Sequence, residues 1–134
     1  MEYIVKSRSK SLKKLVELMM PSLIRQLRLE KSRKFVLVEV GKTSDENMGT
    51  TIPLPGLDSY IVSIKPGHWK VVGSTLAHEM VHVKQLATGV LKINNGINYW
   101  RGKRYNKRTK YMDMPWELDA FAKQEIIFRR AMEE

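Results

Sequence analysis

The run His78-Glu79-Met80-Val81-His82 constrains this chain more than any other feature. On an α-helix, residues four apart sit one turn apart on one face, about 6 Å from each other. On a strand the same two residues would stand about 13 Å apart. If the two imidazoles act together, the segment must be helical. Leu76, Ala77, Met80, Val81 and Val83 can pack behind them, Ser74 or Thr75 can cap the start, and Gly89 can close the end. The pattern therefore predicts a helix over 74–89.

The rest of the chain has to support that helix. Leu12, Leu15, Val16, Met19, Leu23, Ile24 and Leu27 form one stripe and predict a helix over 9–30, capped by Ser9 or Ser11. Pro21 lacks the N–H that bonds back to the preceding turn, so a kink or restart is expected there. Phe35–Val40 and Ser59–Ile64 read as strands, Ile52–Leu57 as a short strand broken by Pro53 and Pro55, and 41–50 as a loop. Leu91–Met112 reads as an irregular hairpin, with Asn94-Asn95-Gly96 at one turn and Gly102 or Asn106 near another. Pro115 opens a last helix running to about Glu133, with Leu118, Phe121, Ala122, Ile126 and the Arg129 stem as its expected apolar face.

At 134 residues the chain fits one domain, 1–134, and no repeat or linker divides it. With no cysteine, disulfides, thiolate metal sites and a thiol nucleophile are excluded. No apolar stretch reaches the roughly 18 residues a membrane span needs. The basic opening before Leu15–Ile24 is interrupted by Glu17 and Pro21 and lacks a small-residue cleavage site. A cytoplasmic protein without membrane partners is therefore expected. The net charge is +10, from 24 basic and 14 acidic residues. No acidic residue lies between Glu79 and Asp113, whereas the 101–110 segment is rich in Lys and Arg. Nucleic acid is a candidate partner for that segment, and a plain solvated face is the alternative.

The chemistry follows from the helix. Imidazole nitrogens suit zinc, and a catalytic zinc takes three protein ligands plus water. His78 and His82 supply two, and Glu79, about 100° round the helix, can reach the water as a general base. The remaining histidine, His68, falls in a turn-like stretch and reads as an ordinary loop residue. Downstream, Glu117 is the preferred third ligand. It stands in the first turn of a helix, where the dipole favours a carboxylate, and Ala120 on the same face allows close approach. Asp119 is the fallback ligand, or a support for a ligand histidine. Gln85, in line with the histidine pair, either lines the site or lies on a polar surface. Tyr99, Tyr105 and Tyr111 are open candidates for stabilising an oxyanion.

These residues resemble the gluzincin metallopeptidases, whose third zinc ligand is a glutamate. Glu117-Leu118-Asp119-Ala120-Phe121-Ala122 is similar to the E-x-x-A-D-A helix of membrane-embedded gluzincins, with Phe121 departing where those carry Asp. The run around His78 and His82, with Trp100-x-Gly102 and Pro115-Trp116-Glu117, resembles compact minigluzincins of bacteria and phages over about residues 59–125. The resemblance implies an α+β, zincin-like fold: a supporting helix on a small, twisted, mostly antiparallel sheet, then the zinc helix, an irregular hairpin and a third-ligand helix. It makes Ser59–Ile64 the edge strand above the zinc helix, able to hold an extended peptide. It also implies a Zn2+ cofactor and peptide-bond hydrolysis of a protein or peptide substrate, as an endopeptidase rather than an exopeptidase. Two other readings stay open: a nucleic-acid-associated protease, as in Spartan-type enzymes that use a third histidine, and a zinc-stabilised, non-catalytic assembly module, for example in a phage particle.

Overall fold

The computed structural model describes residues 1–41, 43, 47–106 and 108–134. Parts of the 41–50 loop and of the basic segment (residues 42, 44–46 and 107) lie outside the described residues. The elements run β1 (Glu2–Ser7), α1 (Lys10–Gln26), β2 (Phe35–Val40), β3 (Gly49–Leu54), β4 (Ser59–Ile64), α2 (Trp69–Thr88), β5 (Leu91–Asn94), β6 (Ile97–Trp100), β7 (Lys103–Arg104) and α3 (Pro115–Glu133). A 3₁₀ turn, Tyr111–Asp113, leads into α3.

The chain is mixed α+β, but its main sheet is not mostly antiparallel as expected. Its order is β1-β2-β4-β3. β1 pairs parallel with β2, and β2 parallel with β4, while only β3 runs antiparallel to β4. The difference lies in the unforeseen strand β1 and in the parallel pairing of β2 with β4. The helix α1 between β1 and β2 is the crossover connection that parallel neighbours need. β4, flanked by β2 and β3, is an inner strand rather than the edge, and β3 takes the edge beside α2. β3 also starts earlier than expected, at Gly49, and ends at Leu54.

The helices cover one face of this sheet. Val36, Val38 and Val40 of β2 alternate inward with Tyr60, Val62 and Ile64 of β4. They meet Val16, Met19, Met20 and Leu23 of α1, and Val72, Leu76 and Met80 of α2. Each such fully buried side chain contributes about 1.5–3 kcal/mol. The other face is left open. There Ile4, Leu37, Ile61 and Ile52 stand in one cross-strand row, with Ile4 and Ile52 about half exposed.

α1 begins as expected, with the Ser9 hydroxyl accepting from the Leu12 N–H at 3.2 Å. It runs unbroken through Pro21, whose exposed position lets solvent satisfy the Glu17 carbonyl that proline leaves unbonded. α2 starts earlier than predicted. His68 is its N-cap, with Nδ1 accepting from the Lys70 N–H at 3.2 Å, and Gly89 closes it at φ 78°. α3 turns a different face inward from the one expected. Trp116, Glu117, Ala120, Ile127 and Ala131 are buried, while Leu118 and Ile126 are exposed. Two observations account for that face: alanines permit close approach to α2, and the polar groups there find partners. The approach is close enough that a Cβ on Gly73 would collide with the Phe128 ring.

β5, β6 and β7 form a small antiparallel sheet with two-residue turns at Asn95-Gly96 and Arg101-Gly102. All four turn residues have positive φ, between 50° and 83°, as hairpins of this type require. Among the described residues, no helix is long and apolar enough to cross a membrane.

Candidate metal centre

α2 places His78 and His82 on one face, their rings edge to face with centroids 4.9 Å apart. Glu117 reaches them from the first turn of α3. Its Oε1 lies 2.8 Å from His78 Nε2 and 3.1 Å from His82 Nε2. The Tyr111 hydroxyl donates to the same oxygen at 3.0 Å. Glu79 faces the cleft beside them, and Thr51 on β3 donates to its Oε1 at 2.7 Å. One ligand-capable atom from each of His78, Glu79 and His82 falls within 4.8 Å of the others, and all three residues are buried.

The opposite edge of each imidazole is held by a glutamine. Gln85 Oε1 lies 2.8 Å from His82 Nδ1, and Gln124 Oε1 lies 2.7 Å from His78 Nδ1. The Gln85 amide nitrogen donates to the Trp116 carbonyl at 3.0 Å and to Asp119 Oδ2 at 2.9 Å. Those two acceptors orient the amide, so its oxygen faces His82, and the His82 Nδ1 must carry the proton. Neutral His82 then presents an Nε2 lone pair to a carboxylate oxygen. Two acceptors at that distance require a proton or a cation between them.

The electrostatics agree. Burial alone would raise the Glu117 pKa, but hydrogen bonds from His78, His82 and Tyr111 outweigh it and hold the carboxyl at about 2. Burial alone would lower that of His82, yet the facing Glu117 holds its imidazolium above the ordinary value. Burial pushes Glu79 up, opposed in part by His82, Thr51 and His78. Burial and the adjacent Glu117 carboxylate push the Tyr111 phenol well above its usual range.

This donor set fits a divalent cation. Tetrahedral ligands at about 2.0–2.1 Å from zinc stand about 3.3–3.4 Å apart. The Nε2 and Oε1 atoms need to separate by only a few tenths of an ångström to reach that spacing. The buried cluster of His78, Glu79 and His82 could hold a metal ion, and Glu117 Oε1 stands against both imidazoles of that cluster.

Of the other residues singled out from sequence, His68 is a helix cap ten residues before His78, about 15 Å along α2. Asp119 hydrogen-bonds to neither imidazole and instead accepts from the Gln85 amide. Gln85 is buried behind His82 rather than on a polar surface. Tyr105 packs its ring against Trp116, and only Tyr111 of the three tyrosines lines the cleft. Sequence reasoning missed Thr51 and Gln124. Gln124 lies seven residues after Glu117 on the same helix face, which was a usable signal; Thr51 carried none.

Two spaces adjoin the cluster and share Glu79 and Tyr111. One, of about 710 Å³ on the His78 side, is lined by Met48, Val71, Phe121 and Phe128 among others. The second, of about 270 Å³ on the His82 side, is lined by Thr50, Leu91, Ile93 and Trp116 among others. Comparison with protein-family models, curated proteins and solved structures finds no match.

Proposed function

We propose that this protein is a zinc-dependent peptidase of gluzincin type, with His78, His82 and Glu117 as the metal ligands. The observation that carries the reading is the meeting of both Nε2 atoms on one Glu117 oxygen, beside a buried Glu79 that pairs with no Lys or Arg among the described residues. When bound, a zinc ion supplies a Lewis acid that acidifies water and polarises a carbonyl.

The chain's own residues do the rest. Gln85 and Gln124 hold the imidazoles with Nδ1 protonated and Nε2 free to ligate. Thr51 fixes the Glu79 carboxylate by its hydroxyl, leaving Oε2 for the proton of the attacking water. Burial makes Glu79 more basic than a surface carboxylate, which suits it to take that proton and pass it to the leaving amine. Tyr111, freed from Glu117, is placed to donate to the developing oxyanion. The 710 Å³ space beside His78 and Glu79 has room for a substrate side chain, which favours catalysis over a purely structural module.

The test combines metal analysis with hydrolysis of a fluorogenic peptide library. Wild type should hold one zinc per chain and cleave peptides. Glu79→Gln should keep the zinc and lose about 10²–10⁴-fold in kcat/KM. Glu117→Ala should lose the zinc. Wild-type zinc affinity in Glu117→Ala would remove Glu117 as a ligand, and zinc-bound wild type inert toward the whole library would favour the assembly-module reading.

A further inference from the structure

We propose that the outer face of the β5-β6-β7 sheet binds single-stranded nucleic acid, with Tyr99 as a stacking platform between Lys92 and Arg104. The register places these three side chains in a row. Lys92 pairs with Tyr99, and Tyr99 with Arg104, so all three project from the same face across three strands. The opposite face carries Leu91, Ile93 and Asn98, which line the 270 Å³ space beside the metal centre. The Lys92–Tyr99–Arg104 face is therefore turned away from the cleft. Lys92 and Arg104 are exposed, and Tyr99, between them in the register, is half-buried.

The charge around this row is uncompensated. No acidic residue lies between Glu79 and Asp113. Among the described residues, no ion pair involves a cation between 84 and 110. Tyr99 likewise has no ring or cation partner among them, whereas Tyr105 is engaged by Trp116 and by Lys103. A flat ring between two free cations matches a base flanked by its phosphates. An acidic peptide would use the cations and leave the ring idle. A membrane surface would call for an apolar residue at the tips, which are Asn95-Gly96 and Arg101-Gly102. Duplex DNA keeps its bases stacked on each other and offers Tyr99 nothing.

The binding goes beyond the peptidase reading and does not depend on it. It is tested on the purified full chain by fluorescence anisotropy, with a labelled dT20 oligonucleotide, a 20-base-pair duplex, polyglutamate and phosphatidylserine vesicles as separate probes. We expect saturable binding to dT20 and a log–log salt slope of about −2 to −3, corresponding to three or four phosphates. Tyr99→Ala should weaken dT20 binding about tenfold, while Tyr99→Phe stays within about twofold. A Lys92→Glu/Arg104→Glu double variant should weaken it further and flatten the slope. Zinc content and thermal stability should not change in Tyr99→Phe or the charge variant, which separates this surface from the metal centre. No dT20 binding at 50 mM salt overturns the proposal. Equal affinity for dT20 and duplex or polyglutamate overturns it too, as do vesicle binding as tight as dT20 binding and an unchanged affinity in Tyr99→Ala. Should Tyr99→Ala fail to fold, the probe ranking and the charge variant decide alone.

Discussion

Gly49 sits where β3 crosses α2, and an alanine there would test how the edge strand positions Glu79, the proposed general base. An added Cβ would lie 2.6 Å from Thr75 Cγ2, 3.1 Å from Glu79 Cγ and 3.2 Å from Glu79 Oε2. Ordinary carbon contacts are about 3.5–4.0 Å, so β3 must retreat by about 1 Å. That movement carries Thr51 with it and stretches its 2.7 Å hydrogen bond to Glu79 past the useful limit. Crowding of this kind costs about 1–3 kcal/mol of stability. A 1 Å misplacement of a reacting group costs about 10²-fold in rate. We expect Gly49→Ala to unfold at a lower temperature, to retain zinc, and to lose about 10²-fold in kcat/KM. Thr75→Ser removes the methyl at 2.6 Å and leaves only contacts that need to give by a few tenths of an ångström. Gly49→Ala/Thr75→Ser should therefore be more stable than Gly49→Ala, and at least tenfold more active. A Gly49→Ala protein with wild-type melting and turnover would refute the reasoning, and so would a double variant no better than the single one.

Three further outcomes are expected. Gln85→Leu strands the His82 Nδ1–H and unties Asp119, so zinc affinity measured by chelator competition should fall about 10–100-fold. In the metal-free protein, Glu117 is depressed, so its contribution is present above the ordinary carboxylate range and is lost as pH falls toward about 2. His82 is raised, so its contribution is complete below about pH 6.5 and disappears as pH climbs through its folded value. The stability difference between wild type and Glu117→Gln, followed by thermal melts in chelator, should peak between about pH 4.5 and 6.5; a maximum above pH 8 would contradict it. Glu79 is raised by burial, so its ionised form destabilises the metal-free fold increasingly as pH rises past the carboxylate range. Glu79→Gln should accordingly melt higher than wild type in chelator at pH 7, and equal or lower melting would count against that burial cost.

What could be read from the sequence was whatever has a short period or a fixed spacing. The histidine pair on a helix, the β-branched strands at 35–40 and 59–64, the Asn-Gly turn and the proline-opened last helix all announce themselves within a few residues. The parallel order of the sheet does not, because Glu2–Ser7 pairs with residues more than thirty positions away and its charged ends mask the Tyr3-Ile4-Val5 centre. The first turn of α2 is not legible either, because Gly73 is a poor helix former taken alone, and what it does there, letting Phe128 approach, appears only in the packed structure. Hydrophobicity alone selects Leu118 and Ile126 for the inward face of α3, and both are exposed. The packed structure instead selects small residues and polar ones that find partners across the helix pair. Glu117 could be chosen by elimination among few carboxylates, but Thr51 could not, since a strand threonine carries no mark of what its hydroxyl will touch.

The two imidazoles and the carboxylate that meets them come from different helices, α2 and α3, and so do the glutamines behind each ring. No disulfide crosslinks those helices, so a cation bound as proposed would act as a removable rivet between them, and its binding energy would become docking energy for the C-terminal helix. Chelation should then loosen α3 selectively, and amide exchange along residues 115–133 would report occupancy of the centre more directly than any probe in the sheet.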